Sequence, residues 1–141
     1  MTLFEFIQTN EVDFSFNKVG EDFIPEMEKH LGMKVGAQLR EYILKYGYLG
    51  YKFLQFNGVN NTQRLKSGMI TSTEKLCANF PEASGYIILE SKGDGVYALT
   101  DSEDNMYIFS LDDKKPVSTG KKLFDYILER FQEADKYDLG E

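Results

Sequence analysis

Residues 86–113, "YIILESKGDGVYALTDSEDNMYIFSLDD", decide the fold class. Three runs in this stretch (86–91, 96–100 and 106–111) are rich in Ile, Val, Tyr and Phe, the residue types that fit a pleated, half-buried surface. Residues 92–95 and 101–105 separate them, and 112–115 lead on to Pro116-Val117. These connections are made of Gly, Asp, Asn, Ser and Lys, the composition of turns. A parallel crossover needs a dozen or more residues, so connections this short predict an antiparallel meander.

Outside this stretch the apolar period is helical. Residues 121–134, "KKLFDYILERFQEA", align Leu123, Phe124, Ile127, Leu128 and Phe131 on one stripe. Residues 37–46 place Leu39, Tyr42, Ile43 and Tyr46 on one face, and Gly47 stops the run. Residues 22–31 predict a shorter helix, with Asp22 as cap, Pro25 in the first turn and Gly32 at the end. Leu3, Phe4 and Ile7 fit an N-terminal helix, and residues 72–79 fit a short one capped by Ser72 or Thr73. "YKFLQF", 51–56, alternates loosely and meets Asn57-Gly58, a strong turn dipeptide.

Helices, then strands, then one helix predict a single α+β domain over residues 1–141. Its expected parts are a helical segment 1–47, a mainly antiparallel sheet within 51–117 with a short helix near 72–79, and a closing helix 121–136. The helices are expected on one face of the sheet.

Composition narrows the function. The chain of 141 residues carries a net charge of −7, which leaves little basic surface to meet phosphates, so no direct nucleic-acid binding is expected. The opening "MTLFEFIQTNEVDF" lacks a basic start and a sustained apolar run, and no segment is apolar enough to span a membrane. A cytoplasmic location without membrane contact is the expectation. Cys77 is the sole cysteine and His30 the sole histidine, which excludes an internal disulfide and metal sites built on several thiolates or imidazoles.

The candidate chemistry is thin. Asp101, Glu103 and Asn105 have the parity of a calcium loop, but the central glycine is missing and Asp112 stands where the closing Glu belongs. No metal or other cofactor is expected. Cys77 and His30 could form a nucleophilic pair, yet Cys77 lies between Leu76 and Phe80 on an apolar side, where free cysteines are commonly buried. There is no Gly-x-Ser-x-Gly elbow, and "KGDGV" lacks the Gly-Lys-Ser/Thr ending of a phosphate loop. No catalytic set emerges, and an enzyme is not expected.

Six acids (Asp94, Asp101, Glu103, Asp104, Asp112 and Asp113) fall within residues 94–113 without one Lys or Arg. With Lys92, Lys114 and Lys115 included, residues 92–115 still carry −3. In a meander successive turns alternate between ends, so Asp94 and Asp112 share one end and Asp101–Asp104 the other. Within residues 96–100 Tyr97 and Leu99 share one face and Val96 and Ala98 the other, and within 106–111 Tyr107, Phe109 and Leu111 oppose Met106 and Ile108, so both faces carry apolar side chains. If helices cover one face only, the other keeps exposed aromatic area, and tyrosine among carboxylates suits a protein interface. Burial of the tyrosines in a two-sided core competes with that reading.

The whole layout resembles the SUKH superfamily, which includes fungal cell-wall synthesis regulators and bacterial immunity proteins. Three stretches carry the resemblance. "IPEMEKHLGMKVGAQLREYILKYG", 24–47, resembles the family's helix with an internal Glu, its Leu-Gly and its second helix; "FNG", 56–58, corresponds to its Asn-Gly; and residues 86–113 are similar to its Gly-Asp-Gly hairpin and acidic turn. Val35-Gly36 stands where the family usually has Leu-Pro, and the frequent Trp is absent. The resemblance implies a non-enzymatic binding module. In bacterial members that means an immunity protein neutralising a cognate toxin, often a nuclease whose basic surface an acidic inhibitor would meet. The alternative is a regulatory scaffold for an endogenous partner, as in the fungal members. The expected protein-binding residues are Asp94, Tyr97, Asp101, Glu103, Asp104, Asp112 and Asp113.

Overall fold

The computed structural model describes residues 1–138. In chain order its elements are α1 (Leu3–Thr9), β1 (Asp13–Phe14), α2 (Phe23–Leu31), α3 (Ala37–Lys45), β2 (Leu49–Tyr51), β3 (Leu54–Gln55), α4 (Gly68–Asn79), β4 (Ile87–Gly93), β5 (Val96–Thr100), β6 (Asn105–Ser110), β7 (Pro116–Lys122) and α5 (Leu123–Asp138), with short 3-10 turns at Arg64–Lys66 and Pro81–Ala83. Two antiparallel sheets of three and four strands, in the orders β1-β2-β3 and β4-β5-β6-β7, give an α+β fold.

The meander forms as its turns predict, with Ala98 opposite Ile108 and Ile108 opposite Val117. β4 carries two register shifts, between Ile88 and Glu90 and again between Ser91 and Gly93 at its end. The first shift explains why Ile87, Ile88, Leu89 and Glu90 are all buried in a strand that should alternate. Ala98, Met106 and partly buried Ile108 pack towards α5 in the main core, where Phe6, Tyr51, Phe56 and Phe131 cluster with ring centroids 5.1–5.7 Å apart. The opposite face is not bare. Leu76 of α4 and Ala83 pack there on Ile88, Leu99 and Phe109, with Phe80, Tyr97 and Tyr107 half-buried around them.

Several boundaries differ from the sequence expectation. The helix expected to start at Ser72 begins at Gly68, because Met69 and Ile70 enter the core on the same face as Thr73 and Leu76. "YKFLQF" is not one strand. It contains a hairpin between β2 and β3 whose two turn residues are Lys52 and Phe53, neither a turn former, with Lys52 at φ 54°. β1 was invisible within the helical segment because its two residues are too short to show a period. Lys121 and Lys122 belong to β7, and Asn105 opposite Lys122 holds the strand to its end. Asp22 makes no capping bond and faces Arg64 at 3.4 Å instead.

Asn57-Gly58 joins the two sheets. Asn57 donates its backbone N–H to the Leu89 carbonyl at 2.7 Å, and the Asn57 carbonyl accepts from the Tyr42 hydroxyl at 2.6 Å. A side chain on Gly58 would collide with the Gly47 carbonyl oxygen, so glycine is required there by close backbone approach.

Candidate functional site

Helix α4 lies against the free side of β4, where the Thr73 hydroxyl accepts the buried Ile88 N–H at 3.0 Å. Between α4 and the outer sheet face opens a groove of about 650 Å³, whose apolar wall is Leu76, Phe80, Ile88, Tyr97 and Leu111. Lys75 and Asn79 supply a polar side. The groove ends at the tip formed by two turns. Gly93, Asp94 and Gly95 all have positive φ (89°, 54° and 73°), and the Leu111 N–H donates to the Gly95 carbonyl at 2.9 Å, which ties the two turns together. Asp94, Asp112 and Asp113 are exposed there, and half-buried Tyr97 runs from the tip into the groove.

The fold also returns Lys92, Lys114 and Lys115 to this tip, all exposed. Residues 92–95 and 112–115 together have no net charge. The protein's acidity is concentrated elsewhere, with −5 in residues 1–31 and −4 in residues 123–141. The tip is therefore a mosaic of both signs beside an apolar slot, not a pool of acid.

At the other end of the meander the acids serve the fold. Asp101 is the hub of its turn, accepting from the Glu103 and Asn105 N–H groups at 2.9 and 3.0 Å, from Asn105 Nδ2 at 3.1 Å and from the Tyr107 hydroxyl at 2.9 Å. Desolvation opposes its charge, but these donors outweigh it and hold the carboxyl below its usual range. Asp104 is only 6% exposed. Its two carboxylate oxygens accept the Gln38 and Leu39 N–H groups at 2.9 and 3.0 Å. It thus caps α3 from a distant strand turn, at the N-terminal end where a negative charge is favoured. The Asp104 carbonyl accepts the Leu123 N–H at 2.9 Å, and the Gln38 side chain accepts the Phe124 N–H at 2.9 Å. One turn so caps two helices. Glu103 is exposed, and its carbonyl accepts from Lys122 Nζ at 2.8 Å.

The buried pair the sequence did not reveal is Glu90 with Arg130. Glu90 is 3% exposed and accepts from Arg130 Nη2 at 2.7 Å and from the Tyr126 hydroxyl at 2.8 Å. Burial, with the neighbouring Glu90 charge, pushes the Tyr126 phenol up. Only the β4 bulge turns Glu90 towards α5, so strand alternation could not place it.

His30 and Cys77 do line one cavity of about 340 Å³, together with Glu74. His30 Nε2 lies 2.9 Å from Glu74, while the Cys77 thiol points at the Ala83 carbonyl, 3.5 Å away. Burial pushes that thiol up, the opposite of what an attacking thiolate needs. No group of three or more His, Cys, Asp or Glu among the described residues is arranged to hold a metal ion. No helix among them is long and apolar enough to cross a membrane.

A helical hairpin whose second helix is capped by the meander's acidic turn, with Asn-Gly bridging the sheets and a closing helix over the core, makes up an α+β domain. The family model described as SMI1-KNR4 cell-wall, SUKH_5, matches residues 2–132, and the chain belongs to that family. No match is found among the curated proteins. Membership fits a protein-binding role, in immunity or regulation.

Proposed function

We infer that this protein is an immunity protein that binds and neutralises a cognate toxin, a basic nuclease-type domain being the best fit. The observation that carries the reading is the apolar groove lined by Tyr97, Phe80 and Leu111, next in the chain to turns whose exposed Asp94, Asp112 and Asp113 stand among Lys92, Lys114 and Lys115. An aromatic slot with Lys75 and Asn79 on one side and turns of mixed charge next in the chain to its wall has the composition of a protein interface, with an apolar centre and a polar rim. The −7 net charge would draw a basic partner in and raise its association rate. Asp101 and Asp104 are committed to the fold at the opposite end of the meander and stand outside this surface.

The test is co-purification with a toxin-like domain encoded beside this chain. A stoichiometric complex with loss of toxin activity is expected. A neighbouring toxin that stays active and unbound sinks the immunity reading. The family's cell-wall description favours a second role, regulation of an endogenous partner. An envelope defect on deletion, without toxin sensitivity, would point there.

A further inference from the structure

Three helices, α1, α3 and α5, surround a pocket of about 250 Å³ that shares no residue with the Tyr97 groove. Three rings form its wall: Phe4 of α1, Tyr46 at the end of α3 and Phe124 of α5. Tyr46 is 6% exposed, Phe124 is half-buried and Phe4 is 45% exposed, so the wall runs from a buried ring to an open one. Glu41 of α3 and Asp125 of α5 complete it. Both are exposed, and neither side chain makes a hydrogen bond or an ion pair among the described residues. Burial, and then the Glu41 charge, push the Tyr46 phenol up, so this carboxylate already acts on the wall.

The surroundings fix the sign of the occupant. Among the described residues no Lys, Arg or His lines the pocket. Glu5, whose carboxylate accepts the Thr2 N–H at 3.2 Å, adds a third acid beside Thr2 in the lining. The first turns of all three helices come together here, which by itself would suit an anion. Their N–H groups are already taken, however. Asp104 accepts from Gln38 and Leu39, the Gln38 side chain from Phe124, and Thr2 from Glu5. The protein also shows what these rings attract. Lys45, outside the lining, holds its Nζ 3.9 Å from the Phe4 centroid and 5.7 Å from that of Tyr46. Counted against Glu5, Glu41 and Asp125, it leaves the neighbourhood at −2.

We propose that this pocket receives an arginine side chain of a partner protein, its guanidinium stacked on the aromatic wall and donating to Glu41 and Asp125. Flat walls with carboxylates at their edge suit a guanidinium, which is planar, weakly hydrated and presents its donors in its own plane. An ammonium is a strongly hydrated point charge and would lose more water for the same rings. The inference does not rest on the toxin reading, because a small probe reads the pocket without any toxin.

The probe is N-acetyl-arginine N-methylamide, whose only charge is the guanidinium, titrated into the intact protein at low salt and followed by heteronuclear NMR. Saturable shifts at Phe4, Gln38, Glu41, Tyr46 and Phe124 are expected. The citrulline analogue, equal in shape and without charge, should bind about tenfold more weakly, and the lysine analogue several-fold more weakly. Glu41→Gln together with Asp125→Asn should weaken binding roughly tenfold, whereas Glu82→Gln, at an exposed acid outside the pocket, should leave it unchanged. Lys45→Met removes the internal cation and should tighten binding about threefold. All four positions are exposed, and thermal unfolding checks that the fold is kept. Absence of saturable shifts overturns the proposal. So does equal binding of the citrulline or lysine analogue, or a failure of Lys45→Met to tighten it. An equal loss with Glu82→Gln would overturn it too, by reducing the effect to the protein's net charge.

Discussion

The carboxylate of Asp104 occupies the space that a side chain at residue 36 would need. A Cβ on Gly36 would overlap all three carboxyl atoms, and from that position Asp104 accepts the Gln38 and Leu39 N–H groups. Gly36 sits at the N-cap of α3 without a side chain of its own to cap it, and a residue far along the chain supplies the acceptor. This explains why glycine is required at position 36 of this chain.

The two residues should therefore be coupled. Asp104→Ala leaves two N–H groups without partners in a buried place and should cost on the order of 2–4 kcal/mol in urea unfolding. Gly36→Ala should cost about 2 kcal/mol in the native background and well under half of that once Asp104 is alanine. Additive losses would show that the carboxylate and the missing side chain are independent.

Glu90 and Arg130 form the second coupled pair. Glu90→Ala removes the buried partner of a guanidinium whose side chain is 18% exposed and leaves it only the exposed Glu133 at 3.1 Å, and should cost about 3 kcal/mol. Replacing both together, Glu90→Leu with Arg130→Met, should recover a large part of that loss, because the buried charges go together and the remaining partner, Glu133, is exposed to water. The Tyr126 hydroxyl, deprived of its acceptor, keeps the recovery incomplete. Denaturant midpoints of the single and double variants decide the matter.

Stability should fall with acid in a way traceable to Asp101. Its native carboxyl is held below the usual range, against desolvation, by Asn105, Glu103 and Tyr107. Because the native value is depressed, this contribution is present above the ordinary carboxylate value near 3.9 and is lost as pH falls through the native one. The stability gap between the native protein and Asp101→Asn should then close below about pH 4. Asp135, held low by Lys52 and Tyr51, adds to the wild-type slope in the same direction. A gap that is constant with pH would contradict the role assigned to Asp101.

The tip residues should act on binding and not on folding. Asp94→Asn keeps a side chain that tolerates φ 54°, and with Asp112→Asn and Asp113→Asn it should alter stability by no more than about 0.5 kcal/mol each. With a basic partner, the triple variant should associate roughly tenfold more slowly at low salt and converge with the native protein at high salt. Tyr97→Ala should instead speed dissociation, since it removes part of the groove wall. Stopped-flow kinetics separate the two effects.

Much of the fold follows from local pattern. The apolar stripe of α5, the branched and aromatic runs of the meander and the glycines that stop α2 and α3 each act within a few residues of themselves, so sequence by itself determined an antiparallel α+β domain and its family resemblance. The short pieces escaped it. Two-residue strands such as β1 and a hairpin turned by Lys52-Phe53 have no period and no favoured turn chemistry, and only their pairing partners hold them in place.

The site depended on adjacency across the chain. Read along the sequence, Asp94 to Asp113 is a run of carboxylates. Folded, the same stretch is divided into a cap for α3, the hub of a turn, and a tip neutralised by its flanking lysines. A charge is spent or free according to what lies beside it in space, at distances of about 3 Å, and a carboxylate and a backbone N–H 65 residues apart in the chain meet at that range here. Composition and periodicity carry no record of such neighbours, which is why only the tertiary structure could decide which of these acids are committed to the fold and which are left exposed.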